Sequence, residues 1–179
     1  SDLVAVTGST AIVLDAPPAA LGTVSNLVFG YGSLTGLANL VAPAGYRASV
    51  VNDSANSRVL LDITTGTRTW NQTTPGTWDV LSNASWVESD TLFANGDAVV
   101  FDNTATNGNV TLAGTLTPQS VTFNHSTTSY ALSGAGVIAG TTGIVKNGDG
   151  TASIATANTY SGATLINQGT LNIQHATAL

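Results

Sequence analysis

The stretch ANTYSGATLINQGTLNIQ, residues 157–174, contains no charged residue and sets a few apolar residues among hydroxyls, amides and glycines. Its runs Thr164–Ile166 and Thr170–Ile173 have the composition of short β-strands, and Gly162 and Gly169 stand where tight corners are expected. A disordered linker would lack apolar residues able to form a buried face. The stretch therefore predicts packed β-structure. Inward contacts are expected from Leu165 or Ile166, Leu171 and Ile173.

The composition of the whole chain favours β-structure and excludes several classes of protein. Only 8% of the 179 residues are charged, against roughly a quarter in an ordinary soluble domain. A net charge of −6 with four basic residues gives no surface for nucleic acid or anionic lipid. The chain has no cysteine, which excludes disulfides and thiol chemistry, and no apolar run of about 18 residues that could cross a membrane as a helix.

Short runs of β-forming residues recur along the chain between Gly, Asn, Asp and Pro residues. Helical periodicity is nearly absent, and residues 16–28, with Pro17 and Pro18, predict a loop entering a strand. The predicted strands are Ala11–Leu14, Asn26–Phe29, Arg47–Asn52, Val59–Ile63, Ala98–Phe101, Asn109–Leu112, Ser120–Asn124, Tyr130–Ser133, Gly136–Ala139, Ile144–Lys146, Ala152–Ala155, Thr164–Ile166 and Thr170–Ile173.

The spacing of these strands favours one all-β architecture. From residue 92 onward the segments 93–104, 109–126, 130–150 and 151–174 are similar, and such self-similarity is typical of stacked coils. The corners are too short for long crossover connections. A parallel β-helix, or β-solenoid, is therefore predicted, with a β-sandwich as the alternative.

Residues 140–179 closely resemble the autotransporter-associated β-strand repeat. That resemblance implies a right-handed parallel β-helix in an exported bacterial surface protein. The positions that match the repeat are Lys146, Gly148, Gly150, Thr151, Asn158, Thr159, Tyr160, Gly162, Thr164, Gly169, Thr170 and Leu171.

The resemblance also suggests an order of segments along the chain. Residues 69–103 look like the Trp-rich segment that often leads into such repeats, and residues 1–68 resemble an upstream set of coils. We therefore expect N-terminal β coils over 1–68, a Trp-rich β segment over 69–104 and solenoid coils over 105–179, all in one continuous elongated domain.

Trp70, Trp78 and Trp86 follow one another at intervals of eight residues and allow two interpretations. Exposed, they would form a platform for sugar rings; buried, they would fill a wide coil, since each aromatic buries about 150–250 Å². The Pro75–Gly76 pair between the first two predicts a hairpin, which favours packing.

The remaining ionisable residues predict no catalytic, cofactor or metal site. Glu88, Asp90, Asp97 and Asp102 lie close in sequence, but the spacing of a calcium loop is absent, so turn roles are favoured and calcium would be incidental. His125 and His175 are predicted to lie at the surface or at coil edges, and Lys146 at a corner.

These observations predict a non-enzymatic extracellular structural protein, at or beyond the bacterial cell surface. Its coils would form a subunit or segment of a surface or matrix fibre. Its partners would be copies of itself joined end to end, or neighbouring coils of a longer chain. The alternative is a carbohydrate-binding or adhesive module that binds surface glycans through the Trp-rich segment.

Overall fold

The computed structural model describes residues 3–5, 10–11 and 22–179, without the side chains of 3–5, 10–11 and 24–27. Residues 12–14 of the predicted strand Ala11–Leu14, and 16–21 of the predicted loop, lie outside this range. The strands are β1 Leu3–Ala5, β2 Thr10–Ala11, β3 Gly22–Gly30, β4 Ser33–Thr35, β5 Leu40–Val41, β6 Arg47–Asp53, β7 Arg58–Thr65, β8 Thr67–Thr69, β9 Gly76–Trp78, β10 Ala98–Phe101, β11 Asn109–Leu112, β12 Thr115–Leu116, β13 Ser120–Asn124, β14 Tyr130–Gly134, β15 Val137–Ile138, β16 Ile144–Asn147, β17 Thr151–Ile154, β18 Thr164–Ile166 and β19 Thr170–Ile173. The 3₁₀ turns are Leu37–Asn39 and Ser54–Asn56.

Strands β8 to β19 form a β-solenoid. One five-stranded sheet has the order β8-β10-β13-β16-β18, another has the order β9-β11-β14-β17-β19, and β12 and β15 form a third, short face. Every pair is parallel, and the register joins Phe101 to Phe123, Phe123 to Lys146 and Lys146 to Ile166. Each coil therefore lies directly on the one before it. The predicted β-solenoid is confirmed, and the β-sandwich alternative is wrong.

The core is a set of columns that run along the solenoid. Alternate residues of each strand point inward, as in β11, where Val110 and Leu112 are buried while Asn109 and Thr111 are exposed. A period of two puts one face of every strand inside and leaves the other to hydroxyls and amides. The buried columns are built from Val99, Phe101, Val110, Leu112, Leu116, Val121, Phe123, Tyr130, Leu132, Ile138, Ile144, Ala152 and Ile154.

The N-terminal part differs from the stacked coils predicted for it. Strands β3, β7 and β6 form an antiparallel sheet with β7 in the middle. Only the short turn Ser54–Asn56 and Ser57 join β6 to β7, and a connection of this length joins antiparallel neighbours, whereas parallel neighbours need a long crossover. Parallel pairing does occur here, between β1 and β4 and between β2 and β5. The division of the chain at 68 and 104 stays a prediction.

The hairpin predicted at Pro75–Gly76 is wrong. Strand β8 pairs with β10 and strand β9 pairs with β11, so β8 and β9 are successive strands in different sheets of one coil. The Pro–Gly pair therefore marks a corner of the solenoid. Trp70 instead forms an isolated antiparallel bridge with Trp86.

Candidate functional site

The three tryptophans fill the interior of the first coil. Trp70, Trp78 and Trp86 are 0%, 0% and 3% exposed. Trp86 packs edge to face against Trp70 at 5.3 Å and against Trp78 at 5.8 Å between ring centroids. A ring that stacks on a sugar must face solvent, so these residues cannot form the predicted glycan platform in this structure. The packing interpretation of the same residues agrees with their burial.

The segment that carries Trp86 lies along the edge of the solenoid. Val87 donates its backbone N–H to the carbonyl of Thr69 at 3.0 Å, and Asn71 donates to the carbonyl of Ser85 at 3.0 Å. The Glu88 carboxylate accepts the Thr69 N–H at 3.0 and 3.1 Å. Residues 87 and 88 thus bond both backbone polar groups of Thr69, the last residue of edge strand β8, and Ser85 bonds the Asn71 N–H that follows it.

A buried carboxylate joins this segment to the N-terminal sheet. Asp97 is fully buried and accepts hydrogen bonds from Arg47 Nη1 and Nη2 at 2.8 and 2.7 Å and from Arg68 Nε at 3.0 Å. The backbone N–H groups of Gly66 and Ala94 donate to it at 2.8 and 2.9 Å. Five donors leave neither oxygen unpaired, which is the condition for burying a charge without a large penalty.

Asp90 extends this ion cluster toward solvent. Its carboxylate pairs with Arg47 and, at 3.4 Å, with Arg68 Nη2. Burial would lower the pKa of Arg47, but Asp97 and Asp90 outweigh it and the pKa is raised. Burial would likewise raise the pKa of Asp90, but the hydrogen bond from Arg47 lowers it. The predicted turn at Asp97 is present, since the Asp97 N–H donates to the Ala94 carbonyl at 3.1 Å. The Asp97 carboxylate, however, accepts hydrogen bonds from Arg47 and Arg68.

Lys146 occupies a position that belongs to phenylalanine in the two preceding coils. Its side chain is fully buried, and its register partner Phe123 is itself paired with Phe101. The ammonium Nζ donates to the carbonyls of Asn147 at 2.8 Å, Gly148 at 2.7 Å and Gln168 at 3.4 Å. All three donors are used, and they tie the corner after β16 to the corner after β18.

His125, predicted to lie at the surface or at a coil edge, follows β13 at a corner and is buried, with 1% of its area exposed. Its ring packs edge-on to Tyr130 at 4.8 Å, and neither ring nitrogen has a hydrogen-bond partner of ordinary geometry among the described residues. Burial lowers the pKa of His125, and the positive charge of Lys146 lowers it further. The imidazole is therefore held neutral in the corner next to Lys146. His175, in contrast, is exposed.

The buried His125 makes stability depend on pH. Because its pKa is lower in the folded chain than the ordinary 6.5, protonation favours unfolding. We expect full stability above that value and a progressive loss as the pH falls below it, measured as the thermal midpoint between about pH 8 and about pH 5. His125→Phe should flatten this part of the profile. His175→Gln should leave it unchanged, and equal profiles for wild type and His125→Phe would refute the assignment.

Asn158 and Tyr160 of the repeat motif connect successive coils from inside. The Asn158 side chain accepts the Ile138 N–H at 3.0 Å and donates to the Ala178 carbonyl at 2.8 Å. It therefore bridges the coil before it and the coil after it. The Tyr160 hydroxyl lies 2.7 Å from Thr164 Oγ1, and its ring belongs to the core.

The motif glycines allow backbone of neighbouring coils to come close. A Cβ on Gly162 would lie 2.2 Å from the Thr142 carbonyl oxygen, and one on Gly169, where φ is +75°, would lie 2.3 Å from that of Gly148. Both positions therefore exclude larger residues. Gly148 and Gly150 come equally close to His125. Thr170 donates its N–H to the Gly150 carbonyl at 3.2 Å. Leu171 lies partly buried against the core.

Strands β18 and β19 form the other edge of the two sheets and expose residues of the inward columns. Ile166 and Ile173 are 54% and 40% exposed, whereas their register partners Lys146 and Ile154 are fully buried. The register also settles which of two neighbouring residues points inward. Ile166 continues the column of Phe101 and Phe123, and Leu165 faces outward.

The acidic residues that the structure describes do not gather into a metal site. Across residues 3–5, 10–11 and 22–179, no group of three or more His, Cys, Asp or Glu side chains is arranged to hold an ion. Asp102 accepts the Thr104 N–H at 2.8 Å, as in an Asx turn. No helix among the described residues is long and apolar enough to cross a membrane.

Comparisons with known proteins identify the repeat. Residues 144–173 match the family model of the passenger-associated-transport-repeat. The BmaC autotransporter adhesin of Brucella suis is 38% identical over 84 residues, which are 46% of this chain and 2% of that protein. The chain thus spans a very small part of the length of this relative. No solved structure matches the chain.

The matched residues are those whose geometry is described above. They begin at Ile144, include Lys146, Asn158 and Gly169, and end with strand β19. The resemblance predicted from the sequence is confirmed by the match of residues 144–173 to this repeat and by the similarity to an autotransporter adhesin.

Proposed function

We propose that this chain is a non-enzymatic structural segment of an extracellular bacterial surface protein, in which stacked coils form a stable elongated body. The repeat and its autotransporter relative support an exported protein. The coil-to-coil stacking supports a structural role, because the strands of each coil form backbone hydrogen bonds with the strands of the next.

The observation that carries this proposal is the way the chain uses its few charges. Arg47 and Arg68 bind buried Asp97, Arg58 pairs with Asp53 at 2.6 Å, and the Lys146 ammonium binds corner carbonyls. All four basic residues therefore hold segments of the fold together. Groups arranged for catalysis would instead converge on a cleft with free donors and acceptors.

The end-to-end fibre predicted from the sequence requires two ends that can pair. The β18–β19 end has exposed column residues, whereas Thr69 of the β8 edge is already bonded to Val87 and Glu88. We therefore propose the segment form of the hypothesis, in which the solenoid is lengthened by further coils at the β18–β19 end.

An adhesive role draws its support from the name of the relative, which is an adhesin. The burial of the three tryptophans removes the surface that the sequence suggested for sugar binding. An adhesive contact would therefore use the outward hydroxyls and amides of the coils. We regard this as the second candidate.

The surface location is tested on the bacterium that makes the protein. Antibodies raised against the purified chain should label intact cells, and protease added to intact cells should remove the label. An antibody against a cytoplasmic protein serves as the control for cell integrity. Labelling that appears only after permeabilisation would refute the proposal.

A further inference from the structure

The two ends of the solenoid differ in what lies over them. At the β18–β19 end, no described strand pairs with the outer edge, and Ile166 and Ile173 are partly exposed. At the β8–β9 end, no described strand pairs with the edge either, but residues 79–97 lie over it. We call residues 79–97 the end segment.

The end segment closes both the backbone and the core of the first coil. Its hydrogen bonds to β8 run through Val87 and Glu88, and Ser85 Oγ donates to the Thr77 carbonyl of β9 at 2.9 Å. The rings of Trp86 and Phe93 pack on Trp78 at 5.8 and 5.4 Å. An unprotected strand edge invites pairing with another chain, and these contacts occupy the N–H and carbonyl of Thr69 and the carbonyl of Thr77 at that edge.

The end segment is fastened to the coils on both sides. Asn95 Oδ1 accepts the Thr117 N–H at 3.0 Å, and Gly96 donates to the Thr117 carbonyl at 2.9 Å. Asp97 then binds Arg68 of β8 and Arg47 of the antiparallel sheet. The end segment is therefore held by the second coil, the first coil and the N-terminal sheet together.

We infer that the end segment is a built-in cap that closes one end of the solenoid, so that coils are added at the β18–β19 end only. The added element is a following coil of the same solenoid, because the parallel register of β16 with β18 and of β17 with β19 continues to that edge. This choice of occupant rests on the proposed function; the capping does not.

The cap has a consequence for association between copies. A head-to-tail contact joins two different surfaces and propagates into filaments, whereas a contact between two identical ends stops at a dimer. With one end capped, the solenoid of the isolated chain can pair with that of another copy only through two β18–β19 ends. It should therefore be a monomer or a dimer, and removal of the cap should allow filaments.

The test compares an opened variant with a matched control. Val87→Pro with Glu88→Ala removes the donor to the Thr69 carbonyl and the acceptor of the Thr69 N–H. Val87→Ala with Glu88→Gln keeps both. Light scattering after size-exclusion chromatography should give at most two chains for the wild type and the control, and a series of larger multiples for the opened variant. Negative-stain microscopy should show filaments only for the opened variant.

Hydrogen exchange shows whether each variant tests the intended contact. The Thr69 and Asn71 amides should be protected in the wild type and exchange faster in the opened variant, while β13 and β16 stay protected. If β13 also loses protection in the opened variant, the comparison is repeated with a milder pair of variants. Glu88→Ala then replaces the opened variant, and Glu88→Gln is its control. Wild-type filaments, or an opened edge without larger multiples, would overturn the cap.

A second substitution tests the direction of growth. Added to the opened variant, Ile166→Asp should suppress the multiples, because it places in an inward column a carboxylate that, unlike the Lys146 ammonium, cannot donate to the corner carbonyls. Leu165→Asp is the control, because Leu165 is equally exposed, at 52% against 54%, but faces outward. Equal suppression by both, or by neither, would overturn the assignment of the open end. Surface labelling of the bacterium does not depend on this result, so the two proposals can fail separately.

Discussion

Replacement of Asp97 by asparagine is expected to lower the free energy of unfolding by about 3–5 kcal/mol, the usual cost of removing one partner from a buried ion pair. Arg47 and Arg68 would lose their shared carboxylate. Five donors point at the two oxygens, so the amide NH₂ of asparagine would face donors in either orientation. Urea unfolding followed by tryptophan fluorescence measures the change.

Asp102→Asn is the matched control for this prediction. Asp102 accepts one N–H, from Thr104, and asparagine can accept it equally well. The control should change stability by no more than about 0.5 kcal/mol. Equal midpoints for the two variants would show that the ion cluster does not hold the end segment to the N-terminal sheet.

The strands of the solenoid could be predicted closely because their signals are local. The predicted bounds of Asn109–Leu112, Ser120–Asn124, Thr164–Ile166 and Thr170–Ile173 are those of β11, β13, β18 and β19. These signals are the alternation of apolar and polar residues along a strand and the Gly or Asn residues at its corners. Both lie within a few residues of the strand they predict. The stacking followed from the repeat interval, which also lies in the sequence itself.

The burial of His125 could have been found from the same alternation. Val121 and Phe123 are inward, and continuing by two residues reaches His125. In β16 the same step leads from Ile144 to Lys146. A polar residue at such a position favours a surface prediction, but a polar side chain remains inside when a corner supplies carbonyls, as it does for Lys146.

The contacts of the end segment could not be predicted from one sequence. Arg47 and Asp97 are fifty residues apart in sequence, and neither belongs to a motif from which the other could be predicted as its partner. The antiparallel order β3-β7-β6 depends equally on pairing across distant segments. Tryptophan spacing was compatible with a surface platform and with a filled coil, and only the three-dimensional arrangement separates the two.

Replacement of Trp78 by alanine is expected to destabilise the chain by about 3–5 kcal/mol, as for other fully buried aromatic residues. Trp78 is 0% exposed and contacts Trp86, Phe93 and Phe101 at centroid distances of 5.8, 5.4 and 5.8 Å. The cavity would lie between the cap and the first coil, where it weakens both. Urea unfolding followed by far-ultraviolet circular dichroism, which does not depend on the deleted indole, measures the loss.

Leu165→Ala is the control, because Leu165 is 52% exposed and faces outward, and it should change stability by no more than about 0.5 kcal/mol. The comparison also decides how sugar-binding experiments with tryptophan variants are interpreted. If Trp78→Ala is strongly destabilised, a loss of glycan binding would reflect a damaged first coil and could not locate a binding surface. If Trp78→Ala is as stable as the control, the ring must lie in solvent, and the glycan platform would again be the better explanation of the three tryptophans.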